Sequence, residues 1–134
     1  MIVLDASAGV SFLLRIEPAY APLRERVLRA GTLHVPQLFD LEVLHALRRY
    51  ERQRFISPAR AERAFARLRE LRCERHPHVP LAERVWELRA NLSAYDATYV
   101  ALAEILEAPL ITLDARLGRA PGHRAQLEVY GEDV

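Results

Sequence analysis

Four acidic residues stand at positions where the surrounding sequence is apolar. Asp5 follows the apolar run 1–4, Asp114 follows the run 110–113, and Glu42 and Asp96 interrupt apolar stripes with helical spacing. A buried carboxylate is costly unless it takes up a proton, meets a cation or coordinates a metal, so four of them would stabilise a core poorly. Carboxylate oxygens are also the ligands that hard divalent cations select. The pattern therefore predicts a divalent-metal site.

Alternating strand and helix patterns supply the elements that would position these acids. Strands are predicted at residues 2–5, 32–35, 75–79, 110–113 and 126–130. Helices are predicted at residues 7–14 with Ser7 as the cap, 19–30, 37–54, 57–72, 80–90 and 95–106, with a short helical turn after Asp114. Parallel strands need a crossover, which is usually a helix. We therefore expect an α/β fold in which a short parallel β-sheet is flanked by helices on both faces, in a single domain spanning residues 1–134.

Topology and helical spacing bring the four acids toward one place. In parallel α/β sheets, ligands bind beyond the carboxyl ends of the strands, which is where Asp5 and Asp114 lie. Glu42 and Asp96 each share a helix face with apolar residues, so both carboxylates are expected to point inward. The alternative for Asp5, taken by itself, is a capping acid for the helix that follows.

Composition limits the remaining classes of function. The 134 residues include no apolar run near the roughly 18 needed to span a bilayer, and the start lacks the basic segment of a signal peptide, so we expect a cytoplasmic protein with no membrane association. Cys73 is the only cysteine, which excludes an intrachain disulfide, a thiol redox pair and a cysteine zinc cluster. All 19 basic residues are arginine. Because the net charge is +1 with the four acids counted, the rest of the chain forms a basic frame that suits a polyanion.

Other conspicuous residues are expected to have structural roles. His76 and His78 flank Pro77 and look like metal ligands, but without a third ligand nearby they are interpreted as a surface strand or loop pair. Packing in the core is expected for His45, Trp86 and Tyr99, helix capping for Asn91 and Ser93, and solvent or a local cap for Asp40 and Glu104.

Four segments carry a resemblance to a known family. They are Val3-Leu4-Asp5-Ala6-Ser7, the helix around Glu42, Leu92-Ser93-Ala94-Tyr95-Asp96-Ala97 and Leu110-Ile111-Thr112-Leu113-Asp114. In order and spacing they resemble PIN-domain ribonucleases, above all the VapC-type toxins of type II toxin-antitoxin systems, over nearly the whole chain. The resemblance implies that Asp5, Glu42, Asp96 and Asp114 are catalytic and hold Mg²⁺ or Mn²⁺, and that Ser7 and Thr112 support them through hydroxyl hydrogen bonds.

The same resemblance implies an activity and its partners. The expected activity is that of a metal-dependent endoribonuclease, which cuts phosphodiester bonds of tRNA, rRNA or mRNA with a water activated by the metal. The expected partners are a cognate antitoxin protein, the RNA substrate and a second copy of the chain in a homodimer. Where some family members carry a further acid, this chain has Arg116, so Arg116 and Arg119 are possible phosphate contacts and the number of metal ions stays open.

Two functions of other classes remain as alternatives. The first is an RNA-binding module that keeps the fold with a degenerate nuclease site and does not cleave. The second is an aspartyl phosphotransferase or phosphoacceptor domain, which also places an Asp at a strand end. That class would need a second acid two residues after Asp5, or a well-placed lysine. Ser7 occupies the position and the chain contains no lysine, so we rank this alternative last.

Overall fold

The computed structural model describes residues 1–131, in which strands and helices alternate. The strands are β1 (Ile2–Leu4), β2 (Leu33–Pro36), β3 (Glu74–His76), β4 (Leu110–Thr112) and β5 (Leu127–Val129). The α-helices are α1 (Ala6–Leu14), α2 (Tyr20–Arg29), α3 (Leu38–Arg52), α4 (Pro58–Glu70), α5 (Ala82–Glu87), α6 (Ala94–Leu106) and α7 (Ala115–Arg119). Within these residues, no helix is both long enough and apolar enough to cross a bilayer.

The five strands form one parallel sheet in the order β3-β2-β1-β4-β5. This confirms the predicted α/β fold with a short parallel sheet flanked by helices. The central strand β1 is fully buried, as its uninterrupted apolar sequence requires of a strand covered on both faces. The chain winds outward from β1 in one direction through β2 and in the other through β4. The carboxyl ends of β1 and β4 therefore form the topological switch point, where α/β sheets bind their ligands.

The helices pack in two groups. Helix α1 contacts α2, α3 and α4, and α3 also contacts α4, whereas α6 contacts α5 and the strands β1, β2 and β4. Gly9 allows the close approach of α1 to α3, because a Cβ at this position would lie 2.6 Å from two ring carbons of the buried Phe39. The distance between α1 and α3 matters for the site, since Asp5 precedes one helix and Glu42 lies on the other.

Four local predictions need correction. The cap of α1 is Asp5 and not Ser7, because the Asp5 carboxylate accepts a hydrogen bond from the backbone N–H of Ala8. Strand β3 ends at His76, since Pro77 has no N–H to continue the ladder. The helix predicted at 80–90 is a 3₁₀ turn over Val79–Leu81 followed by the short α5. Trp86 of that helix, predicted in the core, is 67% exposed, because Leu81 and Leu88 form the buried side.

Two acids predicted to be solvated are instead paired with arginines from other elements. Asp40 accepts hydrogen bonds from Arg75 at 2.6 and 2.8 Å. Glu104 accepts two from the Arg84 guanidinium at 2.8 and 3.0 Å, and its side chain is only 6% exposed. Neither ion pair could be predicted from the sequence pattern of the helix that carries the acid. Ser93 caps α6 as predicted, whereas Asn91 donates to the carbonyl of Pro121 and caps no helix.

Candidate active site

Asp5 lies at the carboxyl end of β1 with a buried, fully oriented carboxylate. Its Oδ1 accepts hydrogen bonds from the Ser7 hydroxyl at 2.7 Å and from the Ala8 N–H at 2.9 Å, and its Oδ2 accepts one from the Thr112 hydroxyl. The first two donors are local, because a carboxylate at the N-cap of α1 faces the first free N–H groups of that helix. The third comes from β4, the neighbouring strand. Asp5 is therefore both a helix cap and a member of the acidic site.

The Ser7 and Thr112 hydroxyls connect Asp5 to the chain that follows β4. The Ser7 Oγ accepts a hydrogen bond from the Leu113 N–H at 3.0 Å, and the Thr112 Oγ1 accepts one from the Asp114 N–H at 2.9 Å. Each hydroxyl thus donates to the carboxylate and accepts from the backbone, which fixes the direction of its proton. The position of the Asp5 carboxylate is consequently set by groups on both central strands.

Glu42 is held by a residue that the sequence assigned only to the core. It is half-buried on α3, and its Oε1 accepts a hydrogen bond of 2.6 Å from the hydroxyl of Tyr99 on α6. Tyr99 is 2% exposed, so its core position is as predicted, but its hydroxyl reaches the site as well. The sequence contained one indication that Tyr99 reaches the site, because Tyr99 lies one helical turn after Asp96.

Asp96 and Asp114 stand at the open side of the site. Asp96 lies in the first turn of α6, where its backbone N–H donates to the cap residue Ser93, and it is exposed, so the expectation that it points inward was wrong. A residue in the first turn projects from the helix end toward the mouth of the site. Asp114 caps α7 and accepts two hydrogen bonds of 3.1 Å from the Arg116 guanidinium.

The charges of the acids act on one another. Burial raises the pKa of Asp5, hydrogen bonds from Ala8, Thr112 and Ser7 partly oppose this shift, and the charge of Asp96 adds to it. Burial is also the main cause of the raised pKa of Glu42, and the charges of Asp96 and Asp5 raise that pKa further. Because the charge of Asp96 acts on both Asp5 and Glu42, the three carboxylates form one electrostatic cluster.

The two outer acids, Asp96 and Asp114, differ in their pairing with Arg116. The pKa of Asp96 is raised by desolvation first and then by the charge of Asp114. The pKa of Asp114 is lowered, chiefly because Arg116 donates hydrogen bonds to it. Asp114 is thus already neutralised by a cation from its own chain, whereas the other three carboxylates have no such partner among their hydrogen bonds in residues 1–131. The deficit of positive charge lies at Asp5, Glu42 and Asp96.

The donor set fits a hard divalent cation. All four candidate ligands offer carboxylate oxygen, and the inner carboxylates lack compensating positive charge. Among residues 1–131, no three carboxylate oxygens of this set come within 4.8 Å of one another, so the acids do not form a closed cage. Mg²⁺ suits such an open arrangement, because it keeps several waters and binds proteins through one or two carboxylates directly. The remaining acids would then act through water.

An open pocket of about 780 Å³ adjoins the acids. Its lining includes Ser7 and Glu42 of the site together with Tyr95, Arg49 and Tyr50. His45, predicted to pack in the core, is exposed on this pocket. A concave surface that is lined by Glu42 together with aromatic and basic side chains has room for part of a chain molecule.

We expect the cluster to destabilise the metal-free protein as the pH rises. The fold raises the pKa of Glu42 above its ordinary value of 4.5, so the contribution of this group to stability is complete at pH values below about 4 and is lost as the pH rises through the raised pKa. The variant Glu42→Gln removes this titration. The free energy of unfolding of Glu42→Gln relative to wild type should therefore increase between pH 4 and 8 in EDTA, measured by urea denaturation.

A matched control separates this effect from a general change of charge on α3. Glu51 is an exposed glutamate near the end of the same helix. The variant Glu51→Gln removes a carboxylate from the same helix away from the site, and the gain in stability of Glu42→Gln should exceed that of Glu51→Gln. A pH-independent difference for Glu42→Gln would contradict the expected coupling among the acids.

Comparison with known proteins identifies relatives of the chain. The sequence profile of the PIN domain family matches residues 2–122. Ribonuclease VapC9 from Mycobacterium tuberculosis is 47% identical over 117 residues, covering 87% of this chain and 88% of that protein. Ribonuclease VapC12 from the same species is 41% identical over 129 residues, covering 96% and 98%.

Solved structures show the same fold. VapBC2 from Rickettsia felis, solved bound to a DNA fragment from their promoter, superposes with a TM-score of 0.71 at 16% identity, covering 97% of this chain and 99% of that chain. VapC20 from Mycobacterium tuberculosis, described as a Sarcin-Ricin loop cleaving toxin, gives a TM-score of 0.69 at 14% identity, covering 92% and 97%. At these identities, the likeness shows the fold alone.

Proposed function

The chain belongs to the PIN domain family and to its VapC ribonucleases, and from this premise we propose that it is the Mg²⁺- or Mn²⁺-dependent endoribonuclease toxin of a toxin-antitoxin pair, acting in the cytoplasm. The observation that carries the proposal is the acidic cluster at the switch point of the sheet. The charge of Asp96 raises the pKa of Asp5 and of Glu42 there, and none of these three carboxylates accepts a hydrogen bond from a cationic side chain within residues 1–131. A stability role would favour the opposite arrangement.

Asp5, Glu42, Asp96 and Asp114 are the residues that would hold the metal ion. When bound, Mg²⁺ or Mn²⁺ supplies a Lewis acid that makes water nucleophilic near neutral pH and offsets negative charge on the phosphate. The protein holds two of the carboxylates in position before the metal binds. Ser7 and Thr112 hold the Asp5 carboxylate in place, and Tyr99 holds that of Glu42. Such supporting hydrogen bonds typically contribute about 10- to 100-fold in metal affinity or activity.

Arg116 gives the site a cation that can exchange partners. Its side chain is 84% exposed, and the hydrogen bonds to Asp114 are the contacts it makes within residues 1–131. An RNA phosphate near the acids would offer the guanidinium a second anion with matching fork geometry. We therefore assign Arg116 to the scissile phosphate and Arg119, one turn later, to a neighbouring phosphate. The substrate is an unpaired RNA segment, since proteins recognise RNA sequence chiefly in single-stranded loops, bulges and ends.

The test is cleavage of total cellular RNA by the purified protein after removal of any bound partner. Reactions with Mg²⁺, with Mn²⁺ and with EDTA are compared, alongside the variant Asp96→Asn. Discrete fragments that need the metal and vanish in the variant support the proposal, and sequencing their ends identifies the RNA. Intact RNA together with tight, metal-independent binding would instead indicate the RNA-binding module that does not cleave.

Replacing Arg116 should weaken substrate binding more than it disturbs the fold. We expect Arg116→Gln to lower cleavage by about tenfold and to reduce the slope of log affinity against log salt by about 1, because one phosphate contact is lost. The measurement is RNA binding and cleavage between 50 and 200 mM salt, a range over which one phosphate contact changes the affinity by about three- to fourfold. Arg52→Gln, an exposed arginine at the far end of α3, is the control. Equal losses in both variants would contradict the assignment.

An antitoxin partner is part of the proposal. Leu28 on α2 and Phe65 on α4 expose apolar side chains on helices rich in arginine, which supports a groove for a partner helix. The partner blocks the site by placing an arginine against the carboxylates. A structure of the complex in which no partner residue approaches the four acids would contradict this mode of inhibition.

Exposed Trp86 and Tyr95 beside a second pocket of about 440 Å³ support a homodimer, which sedimentation would test.

A further inference from the structure

A second group of potential metal ligands lies between β2 and β3, and it includes none of the four acids. In the parallel pairing of these strands, His34 is opposite Glu74 and Pro36 is opposite His76. Alternate residues of a strand project from the same face, so His34, Glu74 and His76 share one face of the sheet. Their ligand atoms all lie within 4.8 Å of one another.

This arrangement changes the interpretation of His76. The sequence offered His76 and His78 as a surface pair without a third ligand. In the structure, the third ligand comes from His34, which is 42 residues earlier in the chain. His78 is exposed and takes no part in the group. The sequence could not indicate this, because only strand pairing brings residues 34 and 76 together.

The distances match the coordination shell of a tetrahedral ion. His34 Nδ1 lies 2.9 Å from His76 Nε2 and 3.6 Å from Glu74 Oε2. Ligand atoms about 2.0–2.1 Å from a tetrahedral Zn²⁺ are about 3.3 Å apart, so the two observed distances fall on either side of this value. The third pair, Glu74 and His76, lies within 4.8 Å, so the exposed Glu74 side chain would move toward the ion to complete the shell. Two imidazoles and a carboxylate are also a donor set that Zn²⁺ accepts, with a water in the fourth position.

The surroundings prepare His34 as a ligand. Its imidazole is buried, and its Nε2 lies 3.2 Å from the Thr32 hydroxyl. When Nε2 carries the proton and donates it to Thr32, the lone pair of Nδ1 is directed at the other two ligands. Ligating histidines commonly have a second-nitrogen hydrogen bond of this kind. Glu74 is exposed on the edge strand, which gives an ion a path from solvent.

We propose that His34, Glu74 and His76 bind one divalent transition-metal ion of the Zn²⁺ class at a site separate from the acidic cluster. The ion ties the three-residue edge strand β3 to β2. It also acts on the start of α3, because the His76 carbonyl accepts a hydrogen bond of 2.9 Å from the Gln37 N–H. The site therefore stabilises the fold and takes no part in cutting RNA.

Cobalt provides the probe, because tetrahedral Co²⁺ absorbs visible light. We expect tag-free wild-type protein to bind one equivalent of Co²⁺ with visible bands that Zn²⁺ abolishes. Zn²⁺ at about 100 times its dissociation constant should raise the Tm by about 5–10 °C. His76→Gln and Glu74→Gln should each lower the Co²⁺ affinity by at least tenfold, on the order seen for disturbed metal ligands. Both positions lie at the edge strand, so these variants keep the test valid if His34→Gln fails to fold.

Two controls separate this site from the acidic cluster. His78→Gln removes a neighbouring histidine outside the group, and Asp5→Asn removes an acid of the proposed nuclease site. Both should keep the visible bands and the shift in Tm. Absence of the bands in wild type, bands unchanged by His76→Gln, or bands lost in Asp5→Asn would each overturn the proposal. Since His76→Gln should still cut RNA with Mg²⁺, failure here and failure of the nuclease proposal are distinguishable.

Discussion

Replacing Asp5 with asparagine is expected to lower RNA cleavage by at least about 10³-fold while leaving the metal-free protein no less stable than wild type at pH 7. The loss of activity follows from removing the best-oriented negative oxygen of the site. The retained stability follows from the raised pKa of Asp5, because burial and the charge of Asp96 make its ionised form unfavourable in the fold. Cleavage assays with Mg²⁺ and thermal unfolding in EDTA measure the two effects.

The hydrogen bonds around Asp5 can accommodate the amide. The Asn oxygen can accept from Ser7 and Ala8 as the carboxylate does, and its NH₂ group would face the Thr112 hydroxyl. Thr112 can then turn its proton toward Ser7, whose oxygen is 3.3 Å away. Asp40→Asn is the matched control, since Asp40 binds Arg75 and should leave cleavage unchanged. A fall of more than about 10 °C in the Tm of Asp5→Asn would show that the carboxylate serves the fold first.

Replacing Arg84 with alanine is expected to lower the free energy of unfolding by about 2–4 kcal/mol, because it leaves the Glu104 carboxylate buried without its cation. Arg84 joins several elements: it contacts Glu104 on α6, Glu87 on α5 and the carbonyl of Gly122 in the loop after α7. This loop follows the helix that carries Arg116 and Arg119. Urea denaturation at pH 7 measures the loss.

The matching variant tests the cause of that loss. In Arg84→Ala with Glu104→Gln, the buried charge is removed as well, so the double variant should be more stable than Arg84→Ala alone. Two losses that simply add would contradict an energetic pairing of these residues. Cleavage by Arg84→Ala at temperatures where it remains folded should stay within about tenfold of wild type, since Arg84 contacts none of the four acids in its hydrogen bonds.

The sequence patterns predicted the features of this protein that follow from the spacing of its apolar residues. Parallel strands joined by helices follow from short apolar runs between longer amphipathic segments, and the ends of those runs placed Asp5 and Asp114 at one edge of the sheet. Helical spacing put Glu42 on a half-buried face of α3. Asp96 was less well predicted, because a residue in the first turn of a helix projects from its end and is not confined to its buried side.

Side-chain partners were the part that the sequence did not reveal. Tyr99 and Glu42 are 57 residues apart, Arg75 and Asp40 are 35 apart, and Arg84 and Glu104 are 20 apart. Each pair joins two elements, and its formation depends on how those elements pack. A single helix records only whether a position faces the interior. Which residue pairs with an acid at such a position is decided by the tertiary structure.

The hydrogen bond from Thr112 to Asp5 joins residues 107 positions apart, and this separation has a consequence for translation. The ribosome synthesises Thr112 107 residues after Asp5. Because β4 pairs directly with β1, the centre of the sheet stays open until β4 has emerged. While the chain is still being translated, its four acids are therefore not yet brought together, and the chain is attached to the ribosome and its RNA. The order of the strands therefore delays completion of the site until β4 has been synthesised.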